Sequence, residues 1–176
     1  LMNQLEGATP ASTMRLALRL SGVLDRAALH AALDDLVQRH ESLRTVYPNE
    51  DGLPYQHILD GADARPAVIE ADSSEEEIAA QLHAAAGHAF DLGSAAPLRV
   101  YLFKLVADEH VLLLLTQHNA RDGASLLPLA RDLSVAYAAR CEGKAPGWEP
   151  LPLQYADYAL WQQELLGSED DADSVA

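Results

Sequence analysis

Hydrophobic and polar positions first fall into a regular pattern at Met14, Leu16, Leu18 and Leu20, which alternate with Arg15, Ala17 and Arg19. That period of two describes a half-buried strand. The period then lengthens. Leu29, Leu33, Leu36 and Val37 share one face of a helix that Asp25 can cap. Leu43–Tyr47 reads as a short strand stopped by Pro48, the run 49–52 as a turn, and Pro54–Leu59 as its returning hairpin partner. A further short strand is predicted through Ala67–Glu70. Ser73 and Ser74, each with a glutamate three residues on, then carry capping-box signatures for a helix through Ile78 and Leu82 to Gly87. Leu98–Val106 and His110–Thr116 are two strands joined by 107–109. The second is apolar at nearly every position, as a central strand buried on both faces must be. Leu126, Leu129, Leu133 and Tyr137 mark a helix over about 125–140. A proline-rich connector, Pro146 to Pro152, leads to a short aromatic helix over 155–166.

There is no internal repeat, no P-loop and no glycine fingerprint. Hairpins mixed with helices predict an α+β fold, a mixed α/β sandwich, in place of a doubly wound one. At 176 residues the chain has enough length for one core. Its net charge of −15, from 27 acids against 12 bases, argues against nucleic acid and against acidic membranes. Part of that excess is local, in 73–77 and in the tail 169–173, where a solvated face is the ordinary reading. The single Cys141 leaves no internal disulfide and fits a reducing cytoplasm. The longest apolar runs are far shorter than the ~20 residues of a membrane span.

Chemistry is concentrated in the stretch Gln117-His118-Asn119-Ala120-Arg121-Asp122-Gly123, between the apolar strand and the helix that follows. A loop held between rigid elements is a common setting for catalytic groups. A neutral imidazole can take a proton from a nucleophile near neutral pH. Asp122 can hold the loop through an arginine or backbone hydrogen bond. From the residues alone, a hydrogen-bonded structural histidine is the first reading of His118 and a base the second. No H-x-x-x-H pair and no cysteine cluster supports a metal site, and no serine sits in a nucleophile elbow.

Gln117–Gly123 resembles the H-H-x-x-x-D-G motif of nonribosomal peptide synthetase condensation domains. Arg39-His40-Glu41-Ser42-Leu43-Arg44-Thr45 resembles their R-H-E-x-L-R-T motif, and Tyr155-Ala156-Asp157-Tyr158-Ala159-Leu160-Trp161-Gln162 their Y-x-D-Y-A-x-W-Q motif. Phe90-Asp91-Leu92, Pro97-Leu98-Arg99 and the opening Gln4-Leu5-Glu6-Gly7 also fit. The resemblance implies a chloramphenicol-acetyltransferase-like lobe with a mixed, largely antiparallel sheet packed by helices. Residues 1–166 would form the N-terminal lobe of a condensation domain, and 167–176 an acidic connector towards a C-terminal lobe that this sequence does not contain. The implied reaction is amide bond formation between a carrier-bound aminoacyl or peptidyl thioester and the amine of a carrier-bound acceptor.

In that frame His118 corresponds to the catalytic histidine, which positions the amine, takes its proton or stabilises the tetrahedral intermediate. Gln117 stands where the family has another histidine, and it still donates and accepts hydrogen bonds. Asp122 is expected to be structural, with Arg44 as its partner, and Gly123 completes the motif. Arg121 is either a solvated loop residue or a gate on the acceptor channel. No metal or cofactor is expected on the chain itself; the phosphopantetheine arms belong to the partner carrier proteins. Donor and acceptor carrier domains, the second lobe and a neighbouring adenylation domain are the implied partners, in the cytoplasm. The alternatives are a docking module of the same fold without chemistry, or a stand-alone acyltransferase. A fragment of one lobe is expected to be inactive alone.

Overall fold

In the computed structural model, residues 13–117 and 126–166 are described. A four-stranded sheet runs in the order β1 (Thr13–Ser21), β8 (Glu109–Gln117), β7 (Leu98–Val106), β6 (Ala67–Asp72). β8 is antiparallel to both β1 and β7, while β6 joins β7 in parallel. Parallel neighbours need a crossover, and α2 (Ile78–Ala86) lies within the segment between those two strands. The sheet is therefore mixed and largely antiparallel, as the family resemblance implies.

Side-chain alternation divides the core between the two faces. Leu98, Val100, Leu102, Leu112 and Leu114 pack with Leu29, Leu33, Leu36 and Val37 of α1 (Arg26–Arg39) and with Leu129, Leu133 and Ala136 of α3 (Leu126–Cys141). On the other face Phe103, Val111, Leu113 and Leu115 pack with Phe90, Leu92 and, from α2, Ile78, Leu82 and Ala85. Strand β8 is thus buried on both sides, which explains why its sequence shows no alternation. The Asp25 carboxylate accepts from Ala28 N at 2.9 Å and caps α1. Ser74 Oγ accepts from Glu77 N at 3.2 Å ahead of α2, although regular helix starts only at Ile78.

The predicted strand over Leu43–Tyr47 is shortened. Glu41–Arg44 form a 3-10 turn, and only β2 (Thr45–Val46) is extended, pairing with β5 (His57–Ile58). Leu43 N donates back to His40 O at 2.9 Å, the three-residue hydrogen bond of a 3-10 turn, so extended backbone begins only at Thr45. A tighter hairpin, β3 (Asn49–Glu50) with β4 (Leu53–Pro54), is nested at the tip. Its turn places Asp51 at φ 52° and Gly52 at φ 88°, the left-handed pair that a two-residue hairpin turn requires. The aromatic helix is observed as α4 (Tyr155–Leu166). His40 stands just beyond α1 in extended backbone.

Candidate functional site

Gln117 closes β8 and is 1% exposed. It is registered against Thr13 of β1, and its backbone N donates to Pro97 O at 3.3 Å. The residue that follows it in the chain, His118, is therefore attached to the end of a strand laced on both sides. His118, Arg121, Asp122 and Gly123 lie outside the described residues.

Arg44 is described, and its side chain is buried by the 3-10 turn. Nη1 donates to Leu59 O at 2.7 Å and to Asp60 Oδ1 at 3.0 Å, while Nη2 lies 3.6 Å from Glu41 Oε1. Asp60 itself is largely in solvent. Arg44 Nε is buried and has no acceptor among the described residues. A dehydrated guanidinium N–H without a partner carries a cost of a few kcal/mol, so a further acceptor beside it would be stabilising.

The other motif segments turn out to be mutual braces. Thr45 Oγ1 donates to Glu41 O at 2.8 Å, which ties the turn back on itself. Phe90 and Leu92 are core residues, and Leu92 O accepts from Tyr47 N at 2.7 Å. Between them, Asp91 accepts from Gly93 N at 3.0 Å and from Ser94 Oγ at 2.6 Å. Those bonds, the Ser94 hydroxyl foremost, hold its carboxyl below the usual range. Pro97 O receives Gln117 N, so the Pro97-Leu98-Arg99 segment supports the end of β8 directly. At the start of α4, Tyr158 N donates to Gln154 O as the first helical bond, and the Asp157 carboxylate reaches back to accept from Gln154 N at 2.9 Å.

One cluster was not legible in the sequence. Asp132 of α3 receives Arg39 Nε at 2.9 Å and lies 2.9 Å from His40 Nε2. Arg39 also donates Nη1 to Glu149 O at 2.6 Å and sits 4.7 Å from the centre of the Trp148 ring. Gln154 Nε2 donates to Arg39 O at 3.0 Å, and Gln154 Oε1 accepts from Glu41 N at 3.3 Å. The first and third residues of one motif are thereby joined to the segment leading into another, and the second to α3. An aspartate on a helix whose apolar face is turned elsewhere gives no signal of this in a single sequence.

Helix α4 leaves Tyr155, Leu160, Trp161 and Leu165 more than half exposed, with Tyr158 and Trp161 rings 5.8 Å apart. Among the described residues, no group of histidine, cysteine, aspartate and glutamate could hold a metal ion, and no helix is long and apolar enough to cross a membrane. The thiol of Cys141 is exposed.

A family model described as "Condensation domain" matches residues 1–175. A dimodular nonribosomal peptide synthase of Bacillus subtilis (strain 168) is 53% identical over 171 residues, covering 97% of this chain and 7% of its own length. The X-domain from teicoplanin biosynthesis superposes with TM-score 0.85 at 43% identity, over 93% of this chain and 36% of that one; the same domain is known in complex with OxyB. The starter condensation domain of rhizomide synthetase RzmA has the same fold, with TM-score 0.81 at 20% identity, over 95% of this chain and 41% of that one. The fold is thus chloramphenicol-acetyltransferase-like. The chain spans a small part of its curated relatives and under half of the solved domains. By its family match and by that identity, the chain belongs to the condensation-domain family of nonribosomal peptide synthetases.

Proposed function

We propose that this chain is the N-terminal lobe, residues 1–166, of a condensation domain that forms an amide bond between two carrier-bound substrates, with 167–176 leading to the second lobe. The donor acyl group is held as a thioester on one carrier protein, and the acceptor amine on another. The amine attacks the thioester carbonyl, the C–N bond forms, and the carrier thiol leaves. The proton lost from the amine passes to the departing thiolate, with His118 as the relay. An uncharged amine is already a good nucleophile, so positioning by His118 contributes at least as much as basicity.

The observation that carries this reading is the burial of Gln117 at the end of a strand bonded on both sides, which fixes the attachment point of His118. Asp122 is the acceptor we assign to Arg44, and the unpartnered Arg44 Nε supports that pairing. Gln117 retains the hydrogen-bonding capacity of the histidine it replaces. Arg121 is read as a gate on the acceptor side, and Arg121→Gly in the complete domain should raise turnover of bulky acceptors; unchanged turnover removes the gate. The exposed aromatic face of α4 supports a chain that continues into further structure.

The chain itself holds no cofactor in this reading; phosphopantetheine arms arrive on the carrier domains, in the cytoplasm and beside an adenylation domain. The test is reconstitution of the complete domain with an aminoacyl-loaded donor carrier and a loaded acceptor carrier, followed by mass analysis of the acceptor. A peptidyl acceptor supports the proposal, and its absence refutes it. A docking module without chemistry is the second reading, favoured by the identity to the X-domain, which forms a complex with OxyB. That module would bind a partner enzyme and yield no peptide.

A further inference from the structure

Residues 118–125 join two elements, so the placement of His118 depends on how each is held. β8 is paired along its length on both sides. Helix α3 has no such ladder. Its buried face, Leu129, Leu133 and Ala136, packs on the sheet through apolar contacts. Such contacts are non-directional: they choose the face a helix buries but hold its fine rotation and axial position less tightly than a hydrogen bond of fixed geometry does. Hydrogen bonds to charged groups are directional and strong when shielded from water.

Two such ties reach α3 from α1 and the residue after it. Near its C-terminus, Arg140 donates Nε and Nη2 to the two oxygens of Asp35 at 2.7 and 2.6 Å. About two turns from its start, Asp132 receives Arg39 Nε and faces His40 Nε2, with all three side chains under 20% exposed. The Asp132 tie is the one nearer the His118 loop. Its donors are themselves held: Arg39 by Glu149 O and the Trp148 ring, and the Arg39 carbonyl by Gln154.

We infer that Asp132 is a positioning residue for the condensation reaction: through Arg39 and His40 it fixes the rotation of α3, and with it the C-terminal anchor of the loop that carries His118. This rests on the functional reading above. A misplacement of about 1 Å at a reacting group can lower a rate by up to two orders of magnitude, so loss of this tie should act on turnover.

The test uses the complete protein with both loaded carriers, comparing wild type, Asp132→Asn and Asp132→Glu for kcat, for KM of each carrier and for melting temperature. The expected result is a fall in kcat of about tenfold for Asp132→Asn. Both KM values should stay within about twofold, and Asp132→Glu should recover most of the rate, because the carboxylate is restored. A wild-type kcat with only a lower melting temperature overturns the inference, as does a change confined to KM. If Asp132→Asn fails to fold, His40→Gln carries the test, since the remaining Arg39 bond keeps the chain folded while half of the tie that sets the rotation of α3 is altered; reduced kcat at constant KM upholds the inference and full kcat overturns it. His118→Ala is run alongside. Full activity there overturns the site assignment and this inference together, whereas an impaired His118→Ala beside a fully active Asp132→Asn overturns this inference alone.

Discussion

Leu127 and Leu129 stand two residues apart on α3 and carry the same side chain, yet one is 81% exposed and the other 1% exposed. Replacing each with alanine therefore isolates burial from helix propensity, because the helix, the chemistry and the gain in propensity are shared. At Leu129 the substitution removes three carbons from the cluster formed by α1, α3 and the sheet. At about 0.8 kcal/mol per buried methylene, the transfer contribution alone is about 2.4 kcal/mol. The surrounding residues come from strands and helices that are themselves fixed, so collapse around the void is incomplete, and a cavity term brings the total to about 3.5 kcal/mol. For a chain of this size that corresponds to a melting temperature lower by about 7–14 °C. At Leu127 the change should stay within about 0.5 kcal/mol. Urea unfolding followed by circular dichroism measures both, and equal slopes across variants would show that the compactness of the end states is unchanged. A cost below about 1 kcal/mol at Leu129, or equal costs at the two positions, would refute the packing of α3 described above.

Asp25→Ala should destabilise the chain by about 1 kcal/mol through loss of the α1 cap, while Asp25→Asn stays near wild type in the same unfolding assay. His110 is 3% exposed, and burial, with Arg26 and Lys104 nearby, holds its imidazole below the usual range against the weaker pull of Glu70 and Asp108. The unfolded chain thus takes up this proton first. Stability is unaffected above the ordinary histidine pKa of about 6.5 and declines as pH falls below it, towards the folded value. His110→Leu should remove that part of the acid loss, and identical pH slopes for the two proteins would contradict it. Asp122→Ala and Arg44→Ala should each cost about 3 kcal/mol, and the double variant scarcely more than either. Additive costs in the unfolding cycle would dissolve the proposed pair.

Periodicity made the sheet and the long helices legible because each buries one continuous stripe or strand. Val111–Leu115 announced a strand covered on both faces, and the cores on its two sides bear this out. The shortened strand at Leu43 was hidden because a 3-10 turn and a strand can bury the same apolar residue, and only the backbone bond from Leu43 N to His40 O distinguishes them. The motif segments were visible as segments, while their mutual bracing was not. Arg39 reaches Asp132, Glu149 and Trp148 across more than ninety positions of chain, and no local pattern encodes a contact at that separation. Pro97 beneath Gln117 is likewise a long-range fact.

The central claim is that His118, attached to the buried end of β8, takes part in amide bond formation. The most direct measurement is single-turnover condensation by the complete domain, with pre-loaded donor and acceptor carriers mixed in a quench-flow apparatus. Wild type is compared with His118→Ala at equal melting temperature. The account predicts a rate at least about a hundredfold lower in the variant, in the range found when a general base is removed. Equal rates would contradict it.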